Sequence, residues 1–113
     1  MDLTCHEEQG VAVLCLVGEL DDVHSPEVGQ LFERLLGEGC RQFVLDLKGV
    51  NFIDSSGLAM LVRCFQHSRQ NASRFVLADL TPTVLRTLKL TRLDRAFEIH
   101  TNAAEAIRQC ISK

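Results

Sequence analysis

Seven consecutive apolar residues, Val11 to Val17 (VAVLCLV), constrain this chain most. A strand with one solvated face alternates apolar and polar residues. A run with no polar member belongs to a strand covered on both faces, which is the condition of a parallel sheet between helical layers. Leu3 to Glu8 precedes it as a short strand, with Gln9-Gly10 as the turn between them. Gly18-Glu19-Leu20-Asp21 leads out of the apolar strand, and Ser25-Pro26 reads as a helix start, with Ser25 as the cap and Pro26 in the first turn. Val28, Leu31, Phe32, Leu35 and Leu36 follow at helical spacing until Gly37 and Gly39 end the helix.

The same alternation continues. Gln42 to Leu47 is a strand, Lys48 to Asp54 a loop and Ser55 to Gln70 a helix. Arg74 to Ala78 is a strand, and a helix runs from Pro82 to about Leu90. Ala96 to His100 is a short strand and Ala103 to Ile111 the closing helix. The order β-β-α-β-α-β-α-β-α predicts one α/β domain over residues 1–113. Its sheet is mixed and mostly parallel, with crossover helices and one antiparallel edge.

Charge is distributed unevenly. Residues 1–60 carry a formal charge of -8 and residues 61–113 one of +5. Arg86, Lys89, Arg92 and Arg95 recur every third residue in the basic part. Such a row is a nucleic-acid signature, but the acidic total of -3 and the lack of Tyr and Trp favour a solvated helix face and no direct nucleic-acid partner. The five cysteines are widely spaced and include no CxxC pair, so neither a disulfide framework nor a zinc ribbon is expected. Cys64 and His67 are three apart on a helix, but no second ligand pair accompanies them, and no metal or other cofactor is expected. No apolar run is long enough for a membrane span and no targeting stretch opens the chain, so a cytoplasmic location is expected.

The segment richest in chemistry is Val50-Asn51-Phe52-Ile53-Asp54-Ser55-Ser56-Gly57-Leu58. It follows a strand and opens a helix, where sites of open α/β sheets collect. Asp54 is a helix cap, and Ser55 and Ser56 place two hydroxyls in the first turn. Gly57 costs the helix roughly 1 kcal/mol against alanine, which points to a close approach to its backbone. Leu58, Leu61, Val62 and Phe65 form one apolar face, while Met60, read as exposed, offers an adaptable contact near the helix start. His6, His24, His67 and His100 have no recognisable relation to Ser55, and Gly37-Glu38-Gly39 lacks a nucleotide-loop pattern, so no catalytic residue is expected.

With these residues in place, the chain resembles STAS domains of the free-standing anti-sigma factor antagonist type. Gly18-Glu19-Leu20-Asp21 followed by Ser25-Pro26-Glu27 is similar to the family's first strand-to-helix passage. Val44-Leu45-Asp46-Leu47 through Phe52-Ile53-Asp54-Ser55-Ser56-Gly57-Leu58 is similar to its signature, and Pro82 to Phe97 to its later helix. The resemblance implies phosphorylation at Ser55, with Ser56 the lesser candidate, by an anti-sigma factor serine kinase. It implies binding of that kinase by the unphosphorylated form, and resetting by a serine phosphatase. Asp21, Asp54, Ser55, Ser56, Gly57, Leu58 and Met60 are then the partner-binding residues of a chain that is a monomer when free. His24 stands where the family often has Thr, and Arg92 where it often has Gly. Two other readings remain. One is a STAS interaction subunit of a stress-signalling or lipid-transport complex. The other is a receiver-type domain phosphorylated on aspartate, invited by Asp46 and Asp21-Asp22.

Overall fold

The computed structural model describes residues 1–112. The elements are β1 (Asp2–Glu8), β2 (Val11–Leu20), α1 (Ser25–Gly37), β3 (Gln42–Ile53), α2 (Ser55–Gln70), β4 (Arg74–Ala78), α3 (Pro82–Leu90), a single 3-10 turn (Leu93–Arg95), β5 (Glu98–His100) and α4 (Ala103–Ile111). The strands lie side by side in chain order, β1-β2-β3-β4-β5. β1 is antiparallel to β2, and every later pairing is parallel. This is the predicted mixed α/β sheet. Its sequential order lacks the reversal and switch point of a receiver-type fold, and that alternative is set aside.

Right-handed crossovers between strands laid down in one direction place their helices on one face. α1, α2 and α3 accordingly share a core with the sheet, through Val28, Phe32, Leu36, Met60, Leu61, Cys64, Val84 and Leu88. α4 covers the other face with Ala106, Ile107 and Cys110 against Val11, Val13, Val44, Val76 and Ala78. Double cover explains the first part of the apolar run of β2, since Val11 to Leu14 are at most 2% exposed, but not its end, where Cys15 is half-buried and Val17 is 53% exposed. Phenylalanines link the larger core. Phe32 lies 4.7 Å from Phe43 and 5.4 Å from Phe75, Phe75 lies 6.5 Å from Phe97, and Phe97 lies 5.1 Å from Phe65, by ring centroids. Tilted and edge-on pairs of this kind add about 0.5–1.5 kcal/mol each beyond their burial. Phe52 is the sixth phenylalanine and stands outside this chain of rings, 43% exposed.

Two local expectations are corrected. Lys48 to Ile53 is strand rather than loop, because β2 also continues beyond Val17 and its Gly18, Glu19 and Leu20 pair with Val50, Phe52 and Ile53. Two register shifts, at Cys15/Val17 and Gly18/Glu19, allow that extension, and Gly18 takes a φ of +124° that suits glycine. Ser25 is the first residue of α1 rather than its cap, and its hydroxyl is buried without a partner among the described residues. Asp21 holds the turn instead: its Oδ1 accepts from the amides of Val23 (3.1 Å) and His24 (3.0 Å).

Candidate functional site

The site forms where the extended ends of β2 and β3 meet the head of α2. Asp54 leaves β3 in an extended conformation, and its Oδ1 accepts from the Gly57 amide at 3.0 Å. That bond satisfies one of the free donors of the first turn. The Asp54 amide donates to Leu20 O at 3.2 Å, so the Leu20–Asp21 turn is tied to the residue before Ser55. Gly57 completes the joint. A Cβ there would lie 2.4 Å from Leu20 O and 2.8 Å from Ile53 Cγ1. The close approach expected at Gly57 is therefore made by the chain's own β2, and Gly57 is buried beneath the surface.

Ser55 is exposed and Ser56 half-buried. No hydrogen bond engages either side chain among the described residues, so the Ser55 hydroxyl stands free at the positive end of a sixteen-residue helix. Asp54, Asp21 and Leu58 are half-buried, and the Asp54 amide bond to Leu20 O brings the Asp21 turn to the same helix head. Met60 is a correction. It is 2% exposed and packs towards α1, 3.6 Å from the position of a Cβ at Gly29 and 3.7 Å by its Sδ from Cys64 Sγ. Its spacing from Leu61 and Cys64 turns it to the α1–α2 seam, so it supports the surface from below.

Two exposed apolar side chains near these residues carry no clear signal in the sequence. Val23, in the turn before α1, is 72% exposed, and Phe52, at the end of β3, is 43% exposed. Val23 is two residues after Asp21 and Phe52 two residues before Asp54. The exposure of Phe52 follows from the strand extension: it pairs with exposed Glu19, on the face opposite buried Leu20 and Ile53. A cleft of ≈ 290 Å³ lined by Asp22, Ser25, Pro26, Ser56, Ala59, Met60 and Arg63 opens alongside the serines, between α1 and α2.

His24 Nδ1 lies 2.8 Å from Asp21 Oδ1. Partial desolvation pushes the Asp21 carboxyl up, but the His24 amide, the His24 ring and the Val23 amide together outweigh it and hold the group below the ordinary aspartate range. Asp21 is thus a fixed negative charge beside the site. The Cys64–His67 pair does not face one centre: Cys64 is buried, which pushes its thiol up to about 12, while His67 Nδ1 lies 2.6 Å from Glu33 Oε1. The described residues contain no group of three His, Cys, Asp or Glu side chains able to hold a metal ion. No helix among them is long and apolar enough to cross a membrane. Asp46 is 5% exposed and lies within the sheet, with its Oδ1 accepting from the Lys48 amide at 3.1 Å.

Comparison with known proteins places this geometry in context. The family model of the STAS domain matches residues 2–106. An anti-sigma F factor antagonist of Paenibacillus polymyxa is 29% identical over 96% of this chain and 94% of its own length. An anti-sigma-B factor antagonist of Listeria monocytogenes is 31% identical over 74% of each chain. The crystal structure of an anti-sigma factor antagonist from Mycobacterium paratuberculosis superposes with a TM-score of 0.86 at 25% identity, covering 96% of this chain and 92% of that one.

Proposed function

The chain belongs to the STAS domain family, and from that premise we propose that it is an anti-sigma factor antagonist whose hold on an anti-sigma factor serine kinase is switched by phosphorylation of Ser55. One observation carries the reading: the Ser55 hydroxyl is exposed and unengaged at the head of a capped helix whose backbone is fixed to β2 through Asp54, Gly57 and Leu20. An entering kinase finds the acceptor without unfolding anything. Asp21, Asp54, Ser56 and Leu58 surround it, exposed Val23 and Phe52 supply apolar anchors, and Gly57 and Met60 act from beneath. Ser56 is the lesser acceptor because it is half-buried.

The switch follows from electrostatics. A phosphoserine carries about -1.5 to -2 charges. The helix head tolerates that charge, because its free amides and dipole favour an anion by about 0.3–1 kcal/mol. The carboxylates beside it do not. Two unit charges about 5 Å apart repel by roughly 3 kcal/mol at an effective dielectric of ~20. Water screens this in the free chain, whereas a partner seated over Ser55 excludes water and has to bear it. A loss of ~2.7 kcal/mol weakens binding about a hundredfold. The domain stays folded, the complex dissociates, and a serine phosphatase restores the binding form. In this scheme the chain supplies the acceptor, and the kinase supplies nucleotide and catalysis.

The test uses wild-type chain, Ser55→Ala and Ser55→Asp as baits, followed by labelling of the captured kinase's substrate with ATP. Wild type and Ser55→Ala should retain a small serine kinase, Ser55→Asp should not, and label should enter wild type alone. Equal retention by all three, or undiminished label in Ser55→Ala, would overturn the assignment.

A further inference from the structure

The second surface with unspent chemistry lies at the far end of α3. Arg86 and Lys89 point away from the core, on the helix face opposite buried Val84 and Leu88. Arg92 and Arg95 follow in the chain, in the turn after the helix end, and are also exposed. None of the four has a carboxylate partner among the described residues, whereas Arg34, Lys48, Arg74 and Arg108 each have one. Residues 81–97 contain a single acid, the half-buried Asp94. Leu90 stands among these cations at 79% exposure, the highest of any large apolar side chain described. With Pro82, Leu85 and the stems of Arg86 and Lys89 it lines an apolar cleft of ≈ 390 Å³.

Cations near a helix C-terminus are explained by its dipole, but an isolated leucine projecting between them is not. We infer that the tip of α3 is a docking surface for an anionic lipid bilayer, with Arg86, Lys89, Arg92 and Arg95 on headgroup phosphates and Leu90 entering the interface. The combination is what selects the occupant. Phosphates satisfy the cations, and a bilayer boundary rewards burial of the apolar tip. Nucleic acid rewards only the charges, and the ridge offers no aromatic side chain for base stacking. An acidic protein segment is the rival occupant, and the polyglutamate arm of the test below separates it from a bilayer. The placement leaves the serine site free. α2 begins at the carboxyl end of β3, whereas α3 ends where the chain turns back into the amino end of β5, so Ser55 and Leu90 lie at opposite ends of the helical layer. The inference uses no residue of the serine site and stands or falls separately from it.

Sedimentation with unilamellar vesicles tests it on the full chain. Vesicles of phosphatidylcholine with about a quarter phosphatidylglycerol should carry the chain down at ~0.05 M salt and release it at ~0.5 M, since screening shortens the reach of the charges. Pure phosphatidylcholine should not retain it. Each basic residue near such a surface contributes roughly fivefold to partitioning, so Arg86→Glu with Lys89→Glu should abolish sedimentation. Leu90→Ser should weaken it several-fold, and Ser55→Asp should leave it unchanged. If the double charge reversal alters the melting curve, Arg92→Gln with Arg95→Gln replaces it and should weaken binding at least tenfold. The inference is overturned if anionic vesicles fail to sediment the chain, if neutral vesicles do so equally, or if the ridge variants match wild type. It is also overturned if the ridge retains duplex DNA or polyglutamate and no vesicles.

Discussion

The heads of α2 and α3 occupy equivalent places, each just beyond the carboxyl end of a parallel strand, yet they are built for different ends. At α3, Thr81 Oγ1 accepts from the Val84 amide (3.4 Å) and donates to Val50 O (2.8 Å), and Pro82 fills the first turn. The cap side chain is spent on tying α3 to β3. At α2 the tie is made by backbone, through the Asp54 amide and the crowded Gly57, so the Ser55 hydroxyl remains free. Position at the end of a strand therefore does not make a site. On the proposed reading, the site arises where the fold anchors the helix head with groups other than the side chains it displays.

The sharpest way to break this comparison is Gly57→Ala. Its methyl group meets a backbone carbonyl at 2.4 Å, which no side-chain rotation relieves. The expected destabilisation is about 3 kcal/mol, despite the gain of ~1 kcal/mol in helix propensity, and denaturant unfolding measures it. A variant as stable as wild type would show that α2's head is not clamped. Next is Ser55→Asp, expected to lower kinase affinity about a hundredfold by titration calorimetry while moving the melting temperature by less than ~2 °C. A large loss of stability there would mean the hydroxyl is structural, as Thr81's is. Third, Thr81→Ala should cost ~1–2 kcal/mol of stability, because it removes a cap and leaves Val50 O short of a donor, whereas Ser55→Ala should cost almost none. Equal costs would erase the distinction between the two heads.

The smallest effect concerns pH. Asp21, beside α2's head, has its carboxyl held below the ordinary value of 3.8 by the His24 amide and ring against partial desolvation. A depressed carboxylate stabilises the fold above its ordinary value, and that contribution fades as pH falls through the lowered one. Carbon-detected NMR should place the Asp21 midpoint below 3.8, with the Val23 and His24 amides moving in step, and Asp21→Asn should remove the transition. The Thr81 cap of α3 contains no titrating group, so the Val84 amide should show no corresponding step.

Much of this was legible in the chain. Apolar Val11–Val17, the helical spacing from Val28 to Leu36 and the Asp54-Ser55-Ser56-Gly57 cap are local patterns, and each appears where periodicity and capping chemistry put it. α2 and α3 start and α4 ends where their caps and periodicity predict. The extension of β3 to Ile53 was not legible, because a strand persists only while a neighbour pairs with it, and that neighbour is a bulged β2 more than thirty residues away. The inward orientation of Met60 was not legible for a related reason. Two apolar stripes on a helix do not reveal which one a second helix will cover, and α1 covers the Met60 side.

The sequence by itself determined the order of elements, the parallel sheet covered on both faces, and the placing of an acid and two serines at the start of one helix, because propensity, period and capping act over a few residues. Only the tertiary structure decided that Gly57 yields to Leu20 O, that Met60 faces inward and that Val23 and Phe52 face outward. Those outcomes depend on which distant backbone and side chains share the same few ångströms, and no local pattern encodes that.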